Sequence, residues 1–383
     1  MDKKNVLRFF LHCACMAAVL ALLAVGYMGL AYMRDPLHLF HAPKGELYLN
    51  NQMRMQAAGI INSFEFNSII LGTSILENTS SADMKKALGG DFVNISLSGS
   101  NYWERAIVLK YAMKKKALKR VVYSLDRNYQ HCPETSSYAA KNWDYLYNDN
   151  RLDDFKVYLN STHFKNIVCN ITTGRKRTLD KPNEWMSNRY HSCRFGGLHN
   201  WLGNMDKQGM GNFLRKRLPK TAAKADPNAP LVRNPAKEKR AAAYLDKYVL
   251  SFAEQHPETE FFLIFPPYWR FDFAEMRQTN TPAFALHQQV VRHVVRRAEA
   301  LGNVRVFGFE DCAFVDDITR YKDVTHYDDG VNEYMTESMG QNRHRLTSAN
   351  MEEYLARCDE LARSFDIKAL NREVQHRLAQ RKK

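Results

Sequence analysis

Residues 66–74 are Phe-Asn-Ser-Ile-Ile-Leu-Gly-Thr-Ser, an apolar and β-rich run that ends in a glycine and two hydroxyl residues. The apolar part has the length and composition of a buried strand, and Gly72 marks the turn that follows it. In a parallel α/β sheet, the residues just past the carboxyl ends of the strands converge on one crevice. The sequence therefore predicts that Ser74 lies at such a crevice.

A second stretch, far along the chain, leads to the same edge of the predicted sheet. Residues 304–309 predict another strand, and the loop after it contains Asp323-Val-Thr-His326. Serine, histidine and aspartate brought together can act as a nucleophile, its base and the group that orients the base. The Asp-x-x-His pattern recurs at 35–38, but that copy abuts an apolar segment and follows no strand. A turn-capping role for Ser74 and a structural Asp–His pair remain open at this point.

Predicted strands and helices alternate along most of the chain, which is typical of an α/β fold with a doubly wound, mostly parallel sheet flanked by helices. The predicted strands lie at 66–71, 92–95, 121–125, 261–265 and 304–309. The predicted helices lie at 81–88, 103–118, 236–254, 284–301, 330–340 and 348–364.

The amino-terminal region contains an apolar run at 9–33 with no charged side chain, bracketed by basic residues that include Arg8 and Arg34. This run is long enough to cross a bilayer. The basic amino end, 1–8, favours a cytoplasmic amino terminus and a body outside the cytoplasm. Because no convincing cleavage site follows the run, we predict an uncleaved single-pass anchor in the inner (cytoplasmic) membrane with a periplasmic or extracytoplasmic body.

The rest of the chain divides by composition. A segment at 130–235 is rich in Asn, aromatic and basic residues and interrupts the α/β pattern, so we interpret it as an insertion; its part from 218 to 235 is expected to be poorly ordered. The tail has an apolar stripe with basic flanks, and it either lies on a membrane surface or docks onto the domain. The predicted segments are a stalk at 34–65, the two halves of the domain at 66–129 and 236–365, and the tail at 366–383.

Charge and cysteine content limit the classes of function. The chain has 55 Lys and Arg against 41 Asp and Glu, a net charge of +14, and several basic clusters. This favours solvated faces near an anionic membrane or envelope polymer. No nucleic-acid motif is visible, and nucleic acid is not predicted as a partner.

The five cysteines beyond the apolar run fit neither a zinc pattern nor a CxxC pattern. Their pairing cannot be derived from the sequence, and we predict neither a metal nor a cofactor. These cysteines are Cys132, Cys169, Cys193, Cys312 and Cys358.

Four motifs, taken in chain order, carry a resemblance to a known family. They are Gly-Thr-Ser at 72–74, Val-Asn-Ile-Ser-Leu-Ser-Gly at 93–99, the strand end at 122–128, and Asp-Val-Thr-His-Tyr at 323–327. Together they resemble the SGNH (GDSL-like) hydrolase superfamily, which implies a three-layer α/β sandwich.

The resemblance implies a role for five residues. Ser74 takes the place of the nucleophile, His326 that of the base and Asp323 that of its orienting carboxylate. Gly99 and Asn128 take the places of oxyanion-hole donors, although the third motif lacks the glycine usual in the family. Two plainer roles stay open, Gly99 in a positive-φ turn and Asn128 as a helix cap.

The chain is most similar to a membrane-anchored branch of that superfamily, which includes alginate and other polysaccharide O-acetylation proteins and the D-alanine transfer protein of teichoic acid synthesis. The shared features are the amino-terminal apolar run, a Phe-Pro-Pro strand end at 265–267 and the late Asp-x-x-His-Tyr. After the prolines, Tyr268 and Trp269 either line a pocket or pack in the core.

This branch implies an extracytoplasmic serine-dependent acyltransferase or esterase, with acetyl as the expected acyl group. The implied acceptor is a cell-envelope glycan or acyl-carrying polymer, and a membrane-bound O-acyltransferase is a candidate partner. Two other functions stay open: a non-catalytic envelope protein that binds a polymer, and a lipid esterase.

Overall fold

The structure, a computed structural model, describes residues 2–43, 46–135, 143–169, 175–205 and 209–381. It separates into two compact units. The first comprises Met1–Glu65 and Tyr138–Arg177, and the second comprises Phe66–Ser137 and Thr178–Lys383. The predicted insertion is therefore divided between the two units.

The first unit begins with helix α1, Lys3–Arg34, which is long and apolar enough to cross a membrane. After it, the Asp35 carboxylate accepts the backbone N–H groups of Leu39, Phe40 and His41 at 2.9, 2.8 and 3.0 Å. The first Asp-x-x-His pair therefore belongs to a local chain reversal. The other elements of this unit are β1 (Tyr48–Leu49), α2 (Met53–Ser63), 3-10 turns Asp144–Tyr147 and Asp153–Leu159, α5 (Ser161–Cys169) and β5 (Arg175–Lys176), with β1 antiparallel to β5.

The second unit is built on a six-stranded sheet. Its strands are β2 (Ser68–Leu71), β3 (Phe92–Asn94), β4 (Arg120–Ser124), β6 (Glu260–Phe265), β7 (Val304–Gly308) and β8 (Arg345–Leu346), and their order across the sheet is β3-β2-β4-β6-β7-β8. All neighbours are parallel except β7 and β8. The prediction of a mostly parallel sheet is confirmed, whereas the two-residue strand β8 is too short to leave a pattern in the sequence.

The position of strand β2 in the sheet predicts where a ligand crevice forms. All four of its residues are buried, as expected for a parallel strand covered on both faces. The next two strands along the chain, β3 and β4, lie on opposite sides of β2 in the sheet. In such doubly wound sheets, the crevice forms beyond the carboxyl ends of the strands at this switch in direction. Ser74 follows β2 at that place.

Helices cover the sheet of the second unit, and several begin where the sequence supplies a capping side chain. Ser80, Asn101 and Asp328 each accept a backbone N–H from the first turn of the following helix. The helices are α3 (Ser81–Leu88), α4 (Tyr102–Lys115), α6 (Arg189–Ser192), α7 (Leu198–Gly203), α8 (Met210–Asn212), α9 (Leu218–Lys224), α10 (Pro235–Leu245), α11 (Ser251–Gln255), α12 (Arg270–Thr279), α13 (Thr281–Leu301), α14 (Asp329–Gly340), α15 (Met351–Ser364) and α16 (Ile367–Gln380).

Short irregular helices complete the second unit. Two π-helical segments, Phe213–Arg217 and Asp246–Leu250, join α8 to α9 and α10 to α11, so the helix predicted at 236–254 is interrupted. The 3-10 turns are Arg127–Gln130, Ala313–Asp316 and Ile318–Arg320. Helix α12 is missed by the sequence interpretation, because the Pro-Pro pair before it signals a stop.

Two expectations about the carboxyl-terminal half are decided by packing. Instead of being poorly ordered, the segment from 218 begins with α9, whose Leu218 and Ala222 are buried in the core. In the tail, α16 buries Val374 and Leu378 in the same core, so its apolar stripe docks onto its own unit. The last two residues, 382–383, lie outside the described residues.

Candidate active site

Ser74, His326 and Asp323 form a continuous hydrogen-bonded chain. Ser74 Oγ lies 2.8 Å from His326 Nε2. The other ring nitrogen, Nδ1, lies 2.9 and 3.0 Å from the two carboxylate oxygens of Asp323. These distances fall within hydrogen-bond reach, as the relation of a nucleophile, a base and an orienting carboxylate requires. The predicted meeting of these three side chains is therefore found, while their catalytic role remains a prediction.

The turn that presents Ser74 depends on the glycine before it. The N–H of Gly72 donates to Ser96 Oγ at 3.0 Å, and its carbonyl accepts the N–H of Leu97 at 2.8 Å. A Cβ atom built on Gly72 would lie only 2.7 Å from Ser124 Oγ, so a larger residue does not fit there. Gly72 thus allows the chain to turn close to Ser124. Two residues later, Ser74 is partly exposed at the end of a buried strand.

The buried carboxylate of Asp126 stabilises the same turn through hydrogen bonds. Asp126 accepts hydrogen bonds from Thr73 Oγ1 at 2.8 Å, Ser124 Oγ at 2.6 Å and the Tyr268 hydroxyl at 3.2 Å. Arg105, which is buried, lies with Nη2 3.2 Å from the same carboxylate. Because Thr73 immediately precedes the candidate nucleophile, this cluster fixes the backbone that carries it. No role was predicted for Asp126 from the sequence.

The loop that carries His326 and Asp323 is held by its own hydrogen bonds. One oxygen of Asp323 accepts the backbone N–H groups of Thr325 at 2.9 Å and His326 at 2.8 Å. At the base of the loop, Tyr321 and Tyr327 are bridged in antiparallel fashion, and both are buried. The Asp323 carboxylate is therefore oriented by backbone donors of its own loop as well as by the imidazole.

A tryptophan from the second part of the predicted insertion contacts the triad directly. Trp185 Nε1 donates to the backbone carbonyl of Ser74 at 2.8 Å, and its ring meets that of His326 edge-on, with the centroids 5.5 Å apart. The Trp185 segment is held in place because its backbone N–H donates to Asn78 Oδ1 at 3.2 Å. No motif marks Trp185, so sequence reasoning missed it.

Two buried cations lie beside the triad. Lys322 is 3% exposed, and its Nζ lies 3.7 Å from the centroid of the Trp185 ring and 2.9 Å from His191 Nδ1. Arg194 is 2% exposed, and its Nη2 lies 3.9 Å from Asp323 Oδ2. The carboxylate of the triad is thus approached by positive charge as well as by His326.

Burial and charge shift the pKa values of these groups in a consistent way. Burial lowers the pKa of Lys322 to about 8, against an opposing effect of Asp323. Burial, reinforced by the charge of Lys322, lowers the pKa of His191 to about 4, so its neutral ring accepts a hydrogen bond from the ammonium. Burial alone would raise the pKa of Asp323, but the interactions with His326 and Lys322 bring it below its usual range. Asp323 is therefore ionised at neutral pH.

The predicted oxyanion donors lie on two segments that are joined by a hydrogen bond. Gly99 has φ +60° and is the third residue of a turn closed by the Ser100 N–H, which donates to the Leu97 carbonyl at 3.1 Å, so the turn requires glycine. Asn128 Nδ2 donates to the carbonyl of Ser100 at 3.1 Å. Asn128 lies inside the 3-10 helix Arg127–Gln130 and does not cap it. Asn128 thus contacts the residue that follows Gly99, and the oxyanion role of both residues remains a prediction.

The residues after the Pro-Pro pair have structural roles. Trp269 is buried, and its ring packs 5.1 Å from that of Trp201 and 5.5 Å from that of Phe271, centroid to centroid. Tyr268 is buried too and donates to Asp126. Packing, and not the lining of a pocket, therefore accounts for this pair.

One group among the described residues brings metal-ligating atoms close together. The ligand atoms of Asp311, Cys312 and His344 lie within 4.8 Å of one another. The Tyr334 hydroxyl lies 2.7 Å from His344 Nε2, and burial raises the pKa of Cys312 to about 12, which keeps the thiol protonated. This group shares no residue with the triad. All seven cysteines lie in the described ranges, and each is a free thiol.

No protein-family model matches this chain, and no curated protein matches it. The functional argument therefore depends on the geometry of the site.

Proposed function

We propose that this protein is an extracytoplasmic serine-dependent acyltransferase or esterase that acts on a cell-envelope glycan or polymer, with acetyl as the expected acyl group. The observation that carries the proposal is the hydrogen-bonded chain from Ser74 through His326 to Asp323, with distances of 2.8 and 2.9 Å. Its electrostatic setting fits the same role, because an ionised Asp323 would stabilise the imidazolium that forms when His326 accepts a proton.

The first half of the proposed reaction forms an acyl-enzyme. Ser74 Oγ attacks the acyl carbonyl carbon while its proton passes to His326 Nε2. The tetrahedral intermediate then collapses, and Nε2 returns the proton to the leaving group as the bond to that group breaks. Asp323 holds Nδ1–H throughout, which keeps Nε2 aimed at the serine.

The charge that develops on the carbonyl oxygen requires donors aimed at it. The proposed donors are the backbone N–H groups of Ser74 and Gly99 and the second N–H of the Asn128 amide, whose first N–H is bonded to the Ser100 carbonyl. Removing one such donor typically costs about 3 kcal/mol of transition-state stabilisation.

The second half of the proposed reaction releases the acyl group. A hydroxyl of the acceptor, or water, approaches the acyl carbon, loses its proton to His326 Nε2 and displaces Ser74 Oγ, which recovers that proton. Transfer dominates where the acceptor excludes water. Trp185 favours such exclusion, because its ring covers one edge of the imidazole.

The proposed location follows from helix α1. Its length and apolar composition suit a single-pass anchor in the cytoplasmic membrane, and the basic residues in its first turns, ahead of the apolar run, favour a body on the extracytoplasmic side. A net charge of +14 suits an anionic acceptor or an anionic bilayer surface. A membrane-bound O-acyltransferase would be a chemically sensible donor of the acyl group.

The proposal is tested with the full-length protein in detergent micelles, using a chromogenic acetyl ester and a serine-directed phosphonate probe. We expect Ser74→Ala to abolish labelling and turnover, and His326→Ala to slow both by several orders of magnitude. Ser364→Ala and His376→Ala are matched controls, because both residues are exposed and lie outside the site.

Two results would reject the proposal. One is phosphonate labelling that persists in Ser74→Ala. The other is a normal level of envelope acylation in cells that carry Ser74→Ala, which would favour a non-catalytic polymer-binding protein. Addition of acetylated and unacetylated envelope glycan to the assay then separates transfer to the glycan from hydrolysis by water. A higher rate with lipid esters than with either glycan would favour a lipid esterase.

A further inference from the structure

Helix α1 divides into a fully exposed part and a part that protein covers on one side. Every residue from Phe9 to Gly26 is exposed, whereas Tyr27 and Leu30 are partly covered and Ala31 is buried. At about 1.5 Å per residue the exposed, uncharged part is about 27 Å long. This length is close to the roughly 30 Å of a bilayer's hydrocarbon core. The first unit therefore begins to cover the helix where the hydrocarbon would end.

The elements that cover the helix at this depth are the 3-10 turn Asp153–Leu159 and helix α5. The Tyr27 hydroxyl donates to the carbonyl of Tyr158. The Tyr27 ring packs against Phe164 of α5, with the centroids 5.0 Å apart. Residues 152–168 are thus fixed to the helix at the level where tyrosine commonly marks the boundary between hydrocarbon and headgroups.

The same segment exposes most of the large apolar side chains found outside α1. Among the described residues beyond α1, six large apolar side chains are exposed, and four of them lie between 152 and 168. We name these four, Leu152, Leu159, Phe164 and Val168, the interfacial patch. Exposed apolar side chains are usually scattered singly over a surface, and their concentration beside an apolar helix is typical of a surface that contacts another molecule or a membrane.

Basic side chains border the interfacial patch. Arg151, just before the turn, and Lys156, on it, are exposed and pair with Asp154 and Asp153, and Lys165 is exposed on α5. Apolar side chains bordered by exposed cations are the pattern of segments that lie in the plane of an anionic membrane interface.

We propose that the interfacial patch inserts into the bilayer interface on the body's side of the membrane, as a second lipid contact beside α1. This inference rests on the proposed membrane anchor, and it identifies the partner of the patch as lipid. The first unit would then be held at a fixed height and orientation by two contacts, where a single helix alone would leave it free to rotate.

The test places a fluorescent probe at single cysteines in the full-length protein, reconstituted into phosphatidylethanolamine and phosphatidylglycerol vesicles. The four exposed native cysteines, Cys13, Cys15, Cys169 and Cys193, are first replaced by serine. Probes at Val168→Cys, Val19→Cys and Val232→Cys are then compared with and without lipids that carry a shallow nitroxide quencher. Val232 is the matched reference, since it is 50% exposed and Val168 is 47% exposed.

We expect at least a twofold loss of fluorescence at position 168 with the shallow quencher and little loss at position 232. Quenching at position 19 without quenching at 168, or equal quenching at 168 and 232, would overturn the proposal for the patch and leave the anchor intact. If position 19 is not quenched by nitroxide lipids of any depth, the membrane anchor is rejected. The proposal for the interfacial patch, which rests on the anchor, is then rejected too. Neither result depends on the activity of Ser74.

Discussion

Trp185 donates its indole N–H to the backbone carbonyl of Ser74 at 2.8 Å while its ring meets His326 edge-on. One side chain thus touches both the backbone of the candidate nucleophile and the ring of the candidate base. Since Trp185 is more than one hundred residues from either, the predicted insertion contributes to the site and does not merely surround it.

Replacing Trp185 by phenylalanine should reduce turnover more than binding. The ring contact with His326 is largely kept, but the hydrogen bond to Ser74 is lost, at a cost of about 1 kcal/mol. We expect kcat for the acetyl ester to fall about fivefold, with KM changing less than twofold.

Trp269→Phe is the control for this substitution. The Trp269 indole N–H is buried without a hydrogen-bond partner, so the same change removes the same atoms and no hydrogen bond. It should lower the midpoint of unfolding and leave kcat close to that of the wild type. Equal losses of kcat in the two variants would contradict a specific role for Trp185.

Asp323→Asn should reduce kcat by about three to four orders of magnitude, the effect expected when the orienting carboxylate of a triad is lost. The matched control is Asp317→Asn. Asp317 accepts the N–H of Thr319 at 2.9 Å, in the same local turn that Asp323 makes with Thr325, but it contacts no histidine. Steady-state kinetics of both variants isolates the effect of the imidazole contact, and a similar decline in the two would argue against the triad.

Asp126→Asn should destabilise the second unit strongly. Arg105 is buried beside this carboxylate, and removing one partner of a buried ion pair commonly costs about 3–5 kcal/mol. Asp91→Asn, which breaks the solvent-exposed pair with Lys85, should have a much smaller effect, because exposed ion pairs contribute little to stability. Urea unfolding at pH 7 measures both, and a cost below that of Asp91→Asn would show that Asp126 does not hold the site.

The pH dependence of stability should report the burial of Lys322. Its pKa is about 8 in the folded protein and near its ordinary value of 10.5 when unfolded. Between these values the unfolded chain binds more protons, so stability rises with pH. The free energy of unfolding of the wild type should therefore increase relative to Lys322→Met from pH 8 to pH 10.5, by up to about 3 kcal/mol.

Lys86→Met provides a control of opposite sign for the Lys322 experiment. A hydrogen bond and the charge of Asp83 raise the pKa of Lys86, which is exposed. Its stabilising contribution is present below the ordinary lysine pKa and is lost as the pH rises through the raised value. Denaturant unfolding at several pH values checks both variants, and a Lys322→Met difference that stays constant between pH 8 and 10.5 would contradict the prediction.

Much of the second unit could be predicted because its signals are local. Strand β2 is a short, wholly apolar run that ends in glycine, and α3 has the predicted bounds, Ser81–Leu88. Because the carboxyl ends of parallel strands meet at one edge of a sheet, Ser74 could then be linked to His326, which lies 252 positions further along the chain. Strand β8 and helix α12 were missed, since a two-residue strand has no periodicity and Pro-Pro precedes the helix.

The supporting residues of the site could not be predicted in the same way. Asp126, Lys322 and Trp185 belong to no spacing pattern, and each acquires its role from neighbours that are distant in sequence. The burial that lowers the pKa of Lys322 exists only once the indole of Trp185 and the ring of His191 lie against it.

By itself, the sequence determined the apolar amino-terminal helix, the alternation of strands and helices, and the edge of the sheet where reactive groups would collect. These features follow from the periodicity of apolar residues and from glycine and proline, which act over a few positions. Only the tertiary structure decided the distances at which Ser74, His326 and Asp323 meet, and which side chains surround them. Distances and burial between remote segments are set by how the whole unit packs, and no local pattern encodes them.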